Sequence, residues 1–349
     1  QYDSLWHTDF TSLKVGNYKE DMALSRTFEW KTCPLVDISG GYENTDINNN
    51  FLYHATAGLG FRSNITRQWS IDLNYMYGVR SFDRYDEIYY TQFNQYPGIQ
   101  WTQNFGGTRG VHYLNANTTW SPSDYFTLQI GYGKHHWGDG ERSLFVSDQS
   151  VAYPYGKIET SFWRMKYAVL YTFMQDKFDL PVSISKRNKY MTMHYLSWNV
   201  FDNMNVSLFE SVIWQAKDSM VNRGYDINYL NPVIFFRPVE YSIGSADNVL
   251  LGLSLSYKIN KKNMFYFQWI LDEFLLEEIR DGNGWWANKF GIQAGYKTNH
   301  VFGVKGLYAQ LEYNWVRPFT FSHGDSWQNY GHYNSPIAHP FGANFMELL

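Results

Sequence analysis

The sequence predicts an antiparallel β-barrel that crosses a membrane with its strands. Three observations carry that expectation. Apolar and aromatic residues alternate with polar or small ones through ten to fourteen residues in several segments, the period of a strand with two unlike faces. These runs exceed the roughly 5–6 residues of an average soluble strand and reach the ~9–11 that a tilted strand needs to cross a bilayer. Aromatic residues make up 19% of the 349-residue chain, and large rings gather near strand ends, as at Trp120 with Tyr125-Phe126 and at Trp198 with Phe201. Amphipathic rings are favoured at the two water–lipid boundaries.

Taken in order, the first candidate strands cover 23–32 and 35–43. In 53–62, Tyr53, Ala55, Ala57, Leu59 and Phe61 share one face, and His54, Thr56, Gly58, Gly60 and Arg62 the other. In 67–80, Trp69, Ile71, Leu73, Tyr75, Tyr77 and Val79 oppose Gln68, Ser70, Asp72, Asn74, Met76, Gly78 and Arg80. Strands are then expected over 109–120, 125–136, 160–175, 189–201 and 204–216. Val249, Leu251, Leu253, Leu255, Tyr257 and Ile259 alternate against Asn248, Ser254, Ser256 and Lys258, followed by 263–275 and 286–298. Leu307, Ala309, Leu311, Tyr313 and Trp315 alternate with Tyr308, Gln310, Glu312 and Asn314. About fourteen or more strands follow from this pattern. Residues 344–349 read as the opening of a further strand, so the C-terminus is expected to be incomplete. In lipid every backbone amide needs a partner, so such a sheet is expected to close.

The connections and composition agree. Tight turns at Ser63-Asn64-Ile65-Thr66 and Asn260-Lys261-Lys262-Asn263 contrast with long segments at 81–108, 137–158, 217–246 and 319–343. Short turns at one end and long loops at the other are the outer-membrane habit. A single barrel domain is expected over 1–349. No run approaches the ~18–20 apolar residues of a membrane helix, which excludes a helical membrane protein. Lys+Arg 29 against Asp+Glu 33, with no long basic run, excludes a nucleic-acid surface. The single cysteine, Cys33, makes neither an intrachain disulfide nor a Cys-rich metal site. A soluble sandwich or propeller would alternate too, but with shorter strands and more regular turns. The polar start Gln1-Tyr2-Asp3-Ser4 carries no leader and reads as a processed or trimmed chain.

Four groups of residues bear on function. The run 133–148, GKHHWGDGERSLFVSD, collects His135, His136, Asp139, Glu141, Arg142 and Asp148. It offers general bases or metal ligands, but successive strand histidines point to opposite faces, and a Gly-rich loop entering the lumen with mutually paired charges is expected. Asp272-Glu273 would suit glycoside hydrolysis. Adjacent strand residues face opposite ways, however, so a lumen carboxylate paired with Arg237 or Lys289 is expected. Pro232 and Pro238 bracket 233–237, which disfavours a central strand. That segment is expected to plug the lumen, with Arg237 and Glu240 paired to wall charges such as Glu210, which argues against an open pore. The long loops should bring Tyr85, Tyr89, Tyr90, Trp101, Trp137 and Trp327 to one end, interleaved with Asp83, Asp86, Glu87, Asp139, Asp148 and Asp325. Such a surface suits a neutral or partly cationic glycan or a partner protein, and the length of the loops favours the partner. No nucleophile elbow, phosphate loop or zincin motif appears, so no enzymatic activity, cofactor or metal is expected.

The blocks GDGERSLFVSDQSVAYP (138–154), NYLNPVIFFRPVEYSIGSADNVLLG (228–252), GWWANKFGIQAGYK (284–297), EYNWVRPFTFSH (312–323) and HYNSPIAHPFGANFMEL (332–348), with DEF at 272–274, resemble the Wzi-like capsule-assembly barrels of Bacteroidetes. That family overlaps gliding-motility-associated outer-membrane components. The resemblance runs from about residue 30 to the end and implies a non-enzymatic barrel in the bacterial outer membrane. It implies a role in surface polysaccharide attachment, or as an accessory to gliding or type 9 secretion proteins. A passive porin and an outer-membrane hydrolase are the alternatives.

Overall fold

The computed structural model describes residues 28–349 except 45–48, 100, 106–107, 181–182, 217–222, 233–246, 274–279, 282–284, 286, 305 and 344. The elements are β1 (Glu29–Asn44), β2 (Asn49–Asn64), β3 (Trp69–Arg80), α1 (Arg84–Phe93), β4 (Trp101–Phe105), β5 (Thr108–Trp120), β6 (Phe126–Gly133), β7 (Tyr153–Phe162), β8 (Met165–Leu180), β9 (Ser183–Phe201), β10 (Met204–Gln215), β11 (Asn248–Asn260), β12 (Asn263–Glu273), β13 (Lys289–Thr298), β14 (Ala309–Val316), β15 (Gly331–His332), β16 (Ser335–Pro336) and β17 (Phe345–Leu348). Hydrogen-bonded order follows chain order from β1 to β14 and then β17, except that β4 lies beside β5 off this path. Every pairing in the large sheet is antiparallel.

The alternation of the sequence becomes two faces of a curved wall. On β3, Trp69, Leu73, Tyr75 and Tyr77 are exposed outward, while Asn74, Met76 and Arg80 turn to the lumen side. Cross-strand neighbours keep this parity, with Leu73 beside Phe61 and Ala116. On β14, Leu311 and Tyr313 are exposed, whereas Glu312 and Asn314 are fully buried inside. Polar residues inside and apolar residues outside reverse the arrangement of a soluble protein and match a lipid-facing barrel. Near the short turns, Trp69, Trp120, Tyr125, Phe126, Phe162, Trp163 and Phe201 stand exposed as a ring-rich belt. The chain therefore has the architecture of an outer-membrane barrel.

Several element assignments differ from the sequence reading, among them short strands β4, β15 and β16 within segments read as loops. From Glu29 on, the described part of the two expected N-terminal strands forms the single β1, and Pro34 is tolerated because β1 is an edge strand that, among the described residues, pairs β2 alone. The run 160–175 contains a hairpin: β7 and β8 meet at Trp163-Arg164, where Trp163 takes φ 51. The segment 81–108 contains α1, which the reading did not foresee. Asp83 caps it by accepting from the Asp86 backbone N–H at 2.8 Å, and Asn94 ends it in the left-handed region. The expected closure is not made among the described residues: β1 and β17 have no strand partner on their outer edges.

Candidate functional site

Among the described residues, two loops form a plug in the lumen. Residues 134–152 and 317–343 fold inward between the strand ends. Trp137 bridges to Val146, Ser147 N–H donates to Ile337 O at 2.8 Å, and Tyr330 OH donates to Phe145 O at 2.7 Å, so the two loops make one body. Leu144, Phe145, Val146, Ile337 and Ala338 are buried with Tyr195, Phe209 and Ile270 of the wall. Phe145 stacks on Phe209 with ring centroids 4.8 Å apart. Gly252 makes this seat, since a Cβ there would lie 2.5 Å from the Phe145 ring.

Wall side chains fasten the plug through its backbone. Gln268 accepts from Leu144 N–H at 2.9 Å and donates to Trp137 O at 3.1 Å. Gln293 donates to Arg142 O at 3.0 Å. The Glu312 carboxylate accepts from the backbone N–H groups of Glu141 and Arg142 at 2.8 and 3.1 Å, and from Tyr266 OH at 2.6 Å. Charge-assisted bonds of this kind, shielded from water, are stronger than neutral ones. The second loop is held by Asp272, which accepts from Phe321 N–H at 3.1 Å, by Lys289 on Ser322 O at 3.0 Å, and by Lys189 on Asn329 O at 3.0 Å. Lys189 also pairs with the buried Asp176 at 2.9 Å.

The expected lumen network is thus partly assembled. Glu141 and Arg142 sit on the plug, but their backbone meets wall acceptors, and Arg142 pairs with Glu347 at 3.5 Å rather than within its own loop. Asp139 lies on the same turn. His136 does pair within its loop, with Asp148 at 3.7 Å. Asp272 and Glu273 both reach His323, at 3.1 and 3.4 Å, and Lys289 pairs with Glu273 at 3.3 Å. The strict opposition of adjacent strand residues fails here because a register shift between Leu271 and Glu273 re-aims the second carboxylate. Glu210 is a correction. It pairs with Leu251 on the lipid-facing parity, whereas the neighbouring Phe209 points inward, so Glu210 is buried on the outer face.

The plug expected at 231–240 falls almost wholly outside the described residues. Arg237 and Glu240 lie outside the described residues. The chain just before them packs on the outer face: Tyr229 is buried against Val212, Trp214 and Val249, and Thr192 donates to Tyr229 O at 3.1 Å. Arg223 clamps this segment through Asp226 at 2.6 Å and Asp247 at 2.9 Å.

The six aromatic residues expected at one surface do not form one patch. Tyr85, Tyr89 and Tyr90 line α1, where Tyr85 meets Phe341 of the plug edge-on at 5.4 Å, and Tyr90 stacks on Tyr96 at 4.5 Å. Trp101 stands on the outer wall and is exposed. Trp327 is half-buried near the end of β10. Trp137 is 2% exposed in the lumen, against Tyr195 at 5.3 Å, and takes no part in an outer surface. Burial raises the Asp86 carboxyl to about 6, with Asp83 adding to it. Burial lowers His339 to about 4 despite Glu347 at 2.6 Å, and holds His135 well below the usual imidazole range. The plug anchors Gln268, Gln293 and Glu312 escaped the sequence reading. Their signal was amide and acid side chains on the inner face of long strands, which does not say what they hold.

No protein-family model matches the chain, and no curated protein matches it in sequence. Among solved structures it is similar to Wzi of Escherichia coli, described as an outer-membrane protein involved in group 1 capsule assembly and a carbohydrate-binding β-barrel. The TM-score is 0.54 at 14% identity, over 95% of this chain and 67% of that one. The vanillate-bound OpdK of Pseudomonas aeruginosa aligns at TM-score 0.43 and 12% identity, over 85% of each chain. An anion-selective porin from Comamonas acidovorans aligns at 0.35 and 11%, over 84% of this chain and 91% of that one. The likeness to the first establishes a common barrel fold.

Proposed function

We propose that this chain is a plugged, non-enzymatic outer-membrane barrel that holds surface polysaccharide instead of passing solutes. The observation behind this reading is the fastening of the plug: buried Gln268, Gln293, Glu312 and Asp272 bond loop backbone, and loop side chains pack into the wall core. A lumen sealed by buried hydrogen bonds serves anchoring, not diffusion. The carboxylate pair that suggested hydrolysis is engaged in this fastening through His323 and Phe321. The resemblance to capsule-assembly barrels and the fold shared with a carbohydrate-binding barrel agree with glycan attachment.

A second reading, an accessory that docks another outer-membrane protein of a secretion or gliding assembly, is favoured by the exposed Tyr85, Ile88 and Phe341 beside α1. Clustered exposed apolar groups of this kind mark interfaces. In planar bilayers the intact barrel is expected to show no steady large openings. Purified surface polysaccharide is expected to be retained on immobilised barrel. Porin-like conductance would overturn the anchoring reading, and co-purification of a protein without polysaccharide, released by Tyr85→Ala with Ile88→Ala, would select the second.

A further inference from the structure

A cavity of about 640 Å³ lies between the plug and the wall of β1, β2, β3, β5 and β6, within the ~300–1,000 Å³ range of small-molecule sites. Its lining includes Tyr113 and Asn115 from the lumen side of β5, and His112 and Leu114 from the lipid side. Residues of both parities line it, which fits a cavity that reaches into a break in the wall. The register shows where. β5 pairs β4 through Thr108–His112 and β6 through Ala116–Trp120, which leaves Leu114 and Asn115 without a strand partner on that edge among the described residues. Their other edge pairs β3 without interruption. Side chains span the interval: Trp101 stacks on Tyr132 with centroids 5.8 Å apart, and Lys134 Nζ donates to Gly98 O at 2.9 Å.

The height of this interval follows from strand geometry. Leu114 is six residues above Trp120 of the aromatic belt, which is ~15 Å along the membrane normal at ~3.3 Å per residue and ~40° tilt. That lies within an apolar band about 25 Å tall, in the half nearer the long loops.

Around the cavity, four buried polar atoms of lining residues have no hydrogen-bond partner among the described residues: His54 Nε2, Thr56 Oγ1 and His135 Nε2 within, and Tyr132 OH at the mouth. Hydroxyls and imidazole nitrogens donate or accept according to rotamer and tautomer, and unpartnered they are costly in a dry site. The charged groups nearby are engaged: Asp37 lies 3.6 Å from His54, Asp148 lies 3.7 Å from His136, Arg80 pairs with Asp86 at 3.6 Å, and the Lys134 ammonium donates to Gly98 O. Such a lining, with the Trp101 and Tyr132 rings at its mouth, suits uncharged hydroxyls on a ring.

We propose that this cavity receives the sugar headgroup of an outer-leaflet glycolipid, which enters sideways between β4 and β6 while its acyl chains stay in the bilayer. The proposal rests on the glycan-holding reading above, but it places a ligand on the lipid side of the wall rather than on the loops.

The test uses the full chain refolded into vesicles of phosphatidylethanolamine and lipopolysaccharide. In a Cys33→Ser background, benzophenone is coupled at Asn74→Cys in the cavity, or at Ile130→Cys on the lipid face as a control. The Asn74 probe is expected to capture lipopolysaccharide, and the delipidated polysaccharide in solution is expected neither to be captured nor to compete. Thr56→Val with His135→Leu is expected to lower capture at Asn74 by about tenfold, the loss of two hydrogen bonds, and to leave capture at Ile130 unchanged. Capture at Ile130 but not at Asn74, or no change in the double variant, would refute the cavity. Equal capture of free polysaccharide at Asn74 would refute the sideways route alone. Polysaccharide retention by the immobilised barrel with an unlabelled cavity would leave the surface reading standing.

Discussion

Individual side chains carry the inside-out character of this protein. Leu73 faces outward on β3 and Asn74, its neighbour, lines the interior cavity. Leu73→Arg would place a cation among lipid tails, and its cost is expected to be about 2–4 kcal/mol near the midplane. Asn74→Arg adds the same charge beside the polar lining of the interior, and is expected to cost far less. Folding free energies in liposomes check this, and equal losses would contradict the assignment of faces. The histidines follow a different rule, set by burial. His339 accepts from Phe341 N–H through Nδ1, which leaves Nε2 to donate to Glu347 at 2.6 Å, so the neutral ring satisfies both contacts.

At the scale of elements, the plug and β14 depend on each other. Glu312 meets two plug N–H groups at 2.8 and 3.1 Å and also accepts from Asn314 at 2.9 Å. Glu312→Ala would leave both backbone donors buried without an acceptor, at about 1–3 kcal/mol each. The wall strands keep their own ladders, so the expected result is a loosened loop on an intact barrel. Protease cleavage within 138–143 should appear, ion conductance should rise, and β-sheet circular dichroism should stay unchanged. Glu312→Gln retains one oxygen acceptor and should fall between. Loss of the sheet itself in Glu312→Ala would show that the plug is required for the wall to form.

For the whole molecule, pH should separate the plug from α1. Burial holds His339 near 4 and His135 lower still, so both stay neutral in the docked plug. A released plug binds protons at these rings below about 6.5. Docking stability is therefore complete above that pH and declines as pH falls towards 4. Asp86 works in the opposite sense: its carboxyl is raised to about 6, so the folded α1 region binds the proton more readily, and its stability rises as pH falls from about 6 towards 4. Hydrogen exchange between pH 4 and 7 is expected to show plug amides becoming less protected in acid while α1 amides become more protected. His339→Gln should flatten the first trend, and Asp86→Asn the second. Parallel loss of protection in both regions would indicate global unfolding instead.

The sequence by itself determined the wall. Alternation over long runs, as in Trp69 to Val79 and Val249 to Ile259, is a local consequence of strand geometry. It named the lipid face, the aromatic belt and the short-turn end, and about the right number of strands. It also implied a filled lumen, because proline and charge had to lie somewhere inside. Which loop fills it was decided by tertiary structure alone. Loops 134–152 and 317–343 carry no periodicity, and their burial comes from contacts with residues such as Gln268 and Glu312, more than a hundred positions from the first loop. Trp137 reads like a surface ring until Tyr195 and Phe209 enclose it. Glu210 reads like a lumen charge by type, yet its register with Leu251 turns it outward. The interval at Leu114 is likewise invisible along the chain, since it arises where β4 and β6 share one edge of β5 and, among the described residues, neither pairs with Leu114. Periodicity decides which face a residue is on, and only the packing of distant loops decides what that face meets.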